Sequence, residues 1–143
     1  MQDLDAISGD VVDAALKIHR DLGPGLLESV YEMLLAAELE RRGHSVSRQQ
    51  AIDVDYDGLH FPAAFRIDLI VDNCLLVEIK LVEKLSQAHA KQLLTYLKLT
   101  QQPVGLLINF GGATLKEGLK RIVNDLNPSA SSRLRVNQNT PKH

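Results

Sequence analysis

Apolar residues recur every three or four positions from Asp10 to Arg20, at Val11, Val12, Ala15 and Ile18. They do so again from about Leu26 to Arg42, at Leu27, Val30, Tyr31, Leu34 and Leu35. That period predicts two amphipathic helices. Gly23-Pro24-Gly25 separates them, because the residue before proline avoids helical angles and glycine ends a helix at little cost. Gly43 stops the second helix. From Ser45 to Asp55 the pattern loosens into alternation, Asp57-Gly58 signals a hairpin, and Leu59 to Val71 continues extended. Pro62 inside that run predicts an irregular or edge start. A further strand is expected over Leu75–Leu81. Ser86 caps a predicted helix reaching about Thr100, with Ala90, Leu93, Leu94 and Leu97 inward. Val104 to Asn109 is a short apolar run of the kind buried on both faces of a sheet. After Gly111-Gly112 a last helix is expected over Leu115–Leu126.

The predicted order is helix, three strands, helix, strand, with an extra helix at each end. This is an α/β domain with a mixed sheet between helices. One domain is expected over residues 1–126. Residues 127–143 carry mainly Ser, Asn, Arg, Pro and Lys and are expected to form a flexible tail.

Candidate chemistry lies on the two central strands. Side chains two apart on a strand share a face, so Glu78 and Lys80 project together while Val77, Ile79 and Leu81 face the other way. Asp68 joins them only if the intervening turn has the right length. A two-residue turn would put Asp68 across from Val77. A three-residue turn, Asp72-Asn73-Cys74, pairs position 71 with 75 and sets Asp68 across from Glu78. Asn73 tolerates the left-handed backbone such a loop needs. Two carboxylates and a lysine so arranged can hold a hard divalent cation and an amine over one phosphate. The plain alternative is a cross-strand ion pair on a solvated face; Ile70 and Leu76 on the same face favour a cleft.

Other residues carry weaker signals. Gln92 and Tyr96 are four apart on a helix and point the same way. Glu28 sits in the first turn of its helix, where the dipole alone would explain a carboxylate. The five histidines show no metal-binding spacing, and Gly111-Gly112 lacks the Lys-Ser/Thr of a phosphate loop.

Composition narrows the class. The chain has 143 residues, 45% of them hydrophobic, enough for one sizeable core. No run approaches the roughly 20 apolar residues of a membrane helix. The acidic start, Met1-Gln2-Asp3-Leu4-Asp5, lacks signal-peptide features. Cys74 is the only cysteine, which excludes an intramolecular disulfide. A cytoplasmic protein without membrane contact is expected. The net charge of −2 is unusual for a nucleic-acid binder, so positive charge must be local. Candidates are Arg41, Arg42 and Arg48, and Lys84, Lys91 and Lys98.

Several runs together resemble a known family. They are Ile18-His19-Arg20-Asp21-Leu22-Gly23-Pro24-Gly25-Leu26-Leu27-Glu28-Ser29-Val30-Tyr31, Ile67-Asp68-Leu69-Ile70-Val71, Val77-Glu78-Ile79-Lys80, Gln92-Leu93-Leu94-Thr95-Tyr96 and Gly105-Leu106-Leu107-Ile108-Asn109-Phe110. They look like the signatures of the GxxExxY family, grouped with the PD-(D/E)xK nucleases, with a QxxxY element like that of RecB-type nucleases. The resemblance covers roughly residues 10 to 124, with Ile67 in place of the proline of the superfamily name. It implies a restriction-endonuclease-like core and hydrolysis of phosphodiester bonds with Mg²⁺ or Mn²⁺. It makes Asp68 and Glu78 metal ligands, Lys80 the catalytic amine, and Glu28, Gln92 and Tyr96 accessory site residues. The expected partner is nucleic acid, DNA before RNA, and a homodimer is an assembly it admits. Two alternatives remain open: an inactive nuclease fold used as a binding or interaction subunit, and a metal-free buried ion-pair network.

Overall fold

The computed structural model describes residues 3–125 and the backbone of a strand at 134–138. Helix α1 spans Leu4–Leu22, starting before the predicted Asp10 because the Asp3 carboxylate accepts hydrogen bonds from the amides of Asp5 and Ala6. It ends at Gly23, whose φ of +72° suits glycine. Helix α2 spans Glu28–Arg41. Strands β1 (Val46–Tyr56) and β2 (Leu59–Val71) form an antiparallel hairpin around Asp57-Gly58, both with positive φ. Near Pro62 the register shifts, Ala63 takes a φ of +47°, and its amide donates to the Asp53 carboxylate. The irregularity expected at Pro62 is present.

Strand β3 (Leu75–Lys80) pairs with β2 through Val71–Leu75, Ile70–Leu76 and Leu69–Val77. The turn therefore has three residues, and Asp72 and Asn73 are left-handed with φ of +53° and +59°. Helix α3 (Gln87–Thr100) is capped by Ser86 and leads to β4 (Val104–Asn109), which runs parallel to β3. Among the described residues the sheet has six strands in the order β5-β4-β3-β2-β1-β6, with β5 at Leu119–Val123 and β6 at Leu134–Gln138.

Helices cover both faces of the sheet. Helices α1 and α2 pack through Val11, Ala15, Ile18, Tyr31 and Leu35 on Leu75, Val77 and Ile79. Helix α3 packs through Leu93 and Leu97 on Leu76 and Leu107. The alternation along β3 is therefore strict, and Glu78 and Lys80 continue the face of Leu76, toward α3. The core order matches the restriction-endonuclease-like arrangement.

One segment departs from expectation. The helix expected over 115–126 is instead a short 3₁₀ turn, Lys116–Gly118, followed by strand β5 (Leu119–Val123), antiparallel to β4. Gly118 explains the change: a Cβ there would lie 2.6 Å from the Asn109 carbonyl oxygen, so the chain must pass flat against β4. Ile122-Val123 then suits a strand that satisfies the open edge of β4. Strand β6 (Leu134–Gln138), which pairs with β1, lies inside the segment expected as a flexible tail over 127–143. The rest of that segment falls outside the described residues. No helix among the described residues is long and apolar enough to cross a membrane.

Candidate active site

The site forms where β2 and β3 part. Below the Leu69–Val77 pair the backbone ladder stops, and two carboxylates replace it. The Asp68 amide donates to Glu78 Oε2 at 2.7 Å, and the Ile79 amide donates to Asp68 Oδ2 at 2.8 Å. Each carboxylate thus satisfies a backbone donor that the divergence would have orphaned. The same point marks a change of face along β2: Ile67 packs under α3, whereas Leu69 packs under α1 and α2.

This arrangement brings two like charges together out of water. Glu78 is 5% exposed, and burial together with the Asp68 charge pushes its pKa up to about 8, against the opposing pull of the Asp68 amide and Lys80. Burial also raises Asp68, and the Glu32 charge adds to the effect; the Ile79 amide, Gln49 and Lys80 oppose it. A pair so destabilised as anions is suited to a cation between them.

The predicted accessory residues come to the same place. Glu28, at the start of α2, is raised by burial and by Asp68, and is drawn down by Lys80 and a hydrogen bond from the Leu81 backbone. Lys80 Nζ lies 3.4 Å from Gln92 Oε1 and makes no ion pair among the described residues, while its charge acts on Glu28, Asp68 and Glu78. Tyr96, one turn after Gln92, is raised by burial and then by the Glu78 and Asp68 charges. Its ring stacks on Phe65 at 4.3 Å and 13°. Asp68, Glu78, Lys80, Glu28, Gln92 and Tyr96 are therefore neighbours at one place, where β2 and β3 part.

Tyr31 does not join them. It is fully buried and stacked on Phe110 at 4.5 Å. His19 likewise packs, with Nε2 3.0 Å from the Gly112 carbonyl oxygen. Two residues at the site went unnoticed in the sequence. Glu32, 6% exposed, is four residues after Glu28 on α2, a spacing that could have flagged it. Gln49 bridges the Glu32 and Asp68 carboxylates, and no sequence signal marks it.

The basic candidates divide. Arg42 is held by Glu38 and Asp13, Arg41 by Glu38 and Arg48 by Glu32. Lys84, Lys91 and Lys98 carry no such partner among the described residues and remain available to an external anion.

The donor set fits a hard divalent cation. Among the described residues no three His, Cys, Asp or Glu side chains form a ready metal cage. Magnesium-like ions need none, being held by one or two carboxylates with water and substrate phosphate. The facing carboxylates of Asp68 and Glu78 offer that hard-oxygen chemistry, whereas zinc or copper would call for histidine or cysteine.

A family model described as the PD-(D/E)XK nuclease superfamily matches residues 5–122, an interval that includes every residue of this site. No curated protein and no solved structure matches the chain.

Proposed function

The chain belongs to the PD-(D/E)XK nuclease superfamily, and from that premise we propose that it is a Mg²⁺- or Mn²⁺-dependent nuclease acting on DNA. The observation that carries this reading is the facing of Asp68 and Glu78 where β2 and β3 diverge, with Lys80 on the Glu78 face. The runs around Glu28, Asp68, Glu78, Gln92 and Asn109 further support placing the chain in the GxxExxY group.

Asp68 and Glu78 would hold the cation, each keeping one oxygen on a backbone amide. The bound cation supplies Lewis-acid polarisation of the scissile phosphate and a more acidic attacking water. Lys80 points its ammonium across the site to stabilise charge growing on phosphate oxygens. Gln92 keeps that ammonium in place through its amide oxygen. Tyr96, fixed by the Phe65 stack, presents its hydroxyl beside the carboxylates and can donate to a phosphate oxygen. Glu28, beside Asp68 and Lys80, accepts a proton or orients water at the rim. Lys84 and Lys91, flanking the start of α3, suit phosphates of the bound strand.

Cleavage of supercoiled plasmid and of single-stranded DNA in Mn²⁺ tests the proposal. Wild type is expected to nick, chelator to abolish nicking, and Asp68→Asn to lose Mn²⁺ affinity and activity together. Mn²⁺ and DNA binding without cleavage would favour the inactive binding subunit.

A further inference from the structure

We propose that Gln49 is a positioning residue for the Asp68 carboxylate, held in that role by Glu32 and Arg48. The inference rests on the metal-dependent reading above.

Gln49 lies on β1 between the pairs Arg48–Leu69 and Gln50–Ile67, directly across from Asp68. Its Nε2 donates to Asp68 Oδ1 at 3.2 Å and to Glu32 Oε1 at 2.5 Å. Both acceptors are carboxylates, so the nitrogen and not the oxygen of the amide must face them. The two amide hydrogens are thereby both used. The Asp68 carboxylate is gripped from two strands at once, by Gln49 on β1 and by the Ile79 amide on β3. Two donors on two oxygens fix the plane of the group and where its remaining lone pairs point.

Glu32 makes the amide immobile. Its second oxygen, Oε2, accepts from Arg48 Nε at 3.3 Å and Nη2 at 3.1 Å. Both Glu32 oxygens are therefore engaged, and with 6% exposure it is a buried anchor. The chain of contacts runs Arg48, Glu32, Gln49, Asp68, and links α2 and β1 to β2. A neutral amide is the suitable bridge, because it donates to two anions without adding a charge.

The backbone supplies an independent observation. Gln49 has a φ of +51°, a left-handed conformation that side chains other than Gly, Asn and Asp seldom occupy. Glycine would adopt it freely but would reach neither carboxylate. The same residue marks where β1 changes face, since Val46 packs under α1 and α2 and Ile52 under α3. The strained backbone turns the amide out of the ladder and toward Asp68.

Partners that orient a metal ligand are typically worth about 10–100-fold in metal affinity. The test is Mn²⁺ titration by calorimetry of wild type, Asp68→Asn, Gln49→Leu and Gln49→Gly, with far-ultraviolet spectra and melting curves of the metal-free proteins. Gln49→Leu keeps the bulk and removes the donors; Gln49→Gly suits the left-handed backbone and guards against a leucine variant that fails to fold. Both folded variants are expected to bind Mn²⁺ about 10–100-fold more weakly than wild type. Affinities within about twofold of wild type, alongside a weakened Asp68→Asn, overturn this inference while the metal reading stands. A Gln49→Gly chain that cannot fold overturns it as well, because the role is then structural. If wild type binds no Mn²⁺, or Asp68→Asn binds as wild type does, the metal reading fails and this inference with it.

Discussion

Lys80 and Tyr31 show how differently two polar groups can serve one site. Among the described residues Lys80 is in no salt bridge, and its ammonium, which already acts on the Glu28, Asp68 and Glu78 charges, can meet charge that develops during reaction. Lysine is not a ligand for a hard cation, so Lys80→Ala should leave Mn²⁺ affinity near wild type. By comparison with the loss of one oxyanion donor, turnover should fall about 10²–10³-fold. Plasmid cleavage and calorimetry on the same preparation check both halves; undiminished cleavage would assign the activity to another site. Tyr31 acts at a distance from the chemistry. From inside the core its hydroxyl donates to the Gly23 carbonyl and accepts from the Leu26 amide at 3.1 Å, pinning the loop that delivers Glu28. Tyr31→Phe keeps the stack on Phe110 and should cost about 1–2 kcal/mol of stability, the usual range for losing such bonds. Urea denaturation reads this directly, and an unchanged midpoint would mean that the hydroxyl does not hold the loop.

At the level of elements, β3 is fastened just beyond Lys80 by the end of β4. The Asn109 side chain accepts from the Val82 and Gly111 amides and donates to the Val82 carbonyl, while the Phe110 amide donates to the Lys80 carbonyl. The chains cross so closely that a Cβ on Gly111 would lie 2.5 Å from Val82 O and 2.7 Å from Val82 N. Gly111→Ala must therefore push backbone aside, and a loss of about 1–3 kcal/mol or more is expected. On Gly112 the nearest atom to a Cβ is 3.4 Å away, so Gly112→Ala should stay within about 0.5 kcal/mol of wild type. Similar melting temperatures for the two variants would refute the contrast. These close approaches also explain what the sequence revealed and what it concealed. The β2–β3 register was legible because faces alternate strictly along β3 and only a three-residue turn sets Asp68 across from Glu78. Strand β5 was not, because Leu115 to Leu126 fits a helical pattern until the Asn109 contact at Gly118 is known. Gln49 was hidden for a related reason: its importance lies in a backbone angle and a partner, Glu32, 17 residues away.

Over the whole molecule, one histidine joins segments that no strand or helix connects. His44 follows α2, and its Nδ1 lies 2.6 Å from Asp72 in the β2–β3 turn while Nε2 lies 2.8 Å from Asp10 on α1. Both neighbours are carboxylates, and only the imidazolium has a hydrogen on each nitrogen to offer them. Burial alone would lower the His44 pKa, but the hydrogen bonds it donates to Asp72 and Asp10, and their charges, outweigh it, so the net shift is upward from 6.5. The sign of the linkage follows. A folded-state pKa above the unfolded one means that the contribution is fully present below the unfolded value and is lost as pH rises through the folded value. Asp72 also accepts from the Ser45 amide at 2.9 Å, so loss of the imidazolium loosens the turn that sets the β2–β3 register. Comparing wild type with His44→Gln removes pH effects common to both, including those of the site carboxylates. In urea denaturation from about pH 5.5 to 9, the stability advantage of wild type should be largest at the acid end and shrink toward the alkaline end. An advantage that stays flat across that range, or grows with pH, would show that His44 does not bind the turn to α1 through its charge.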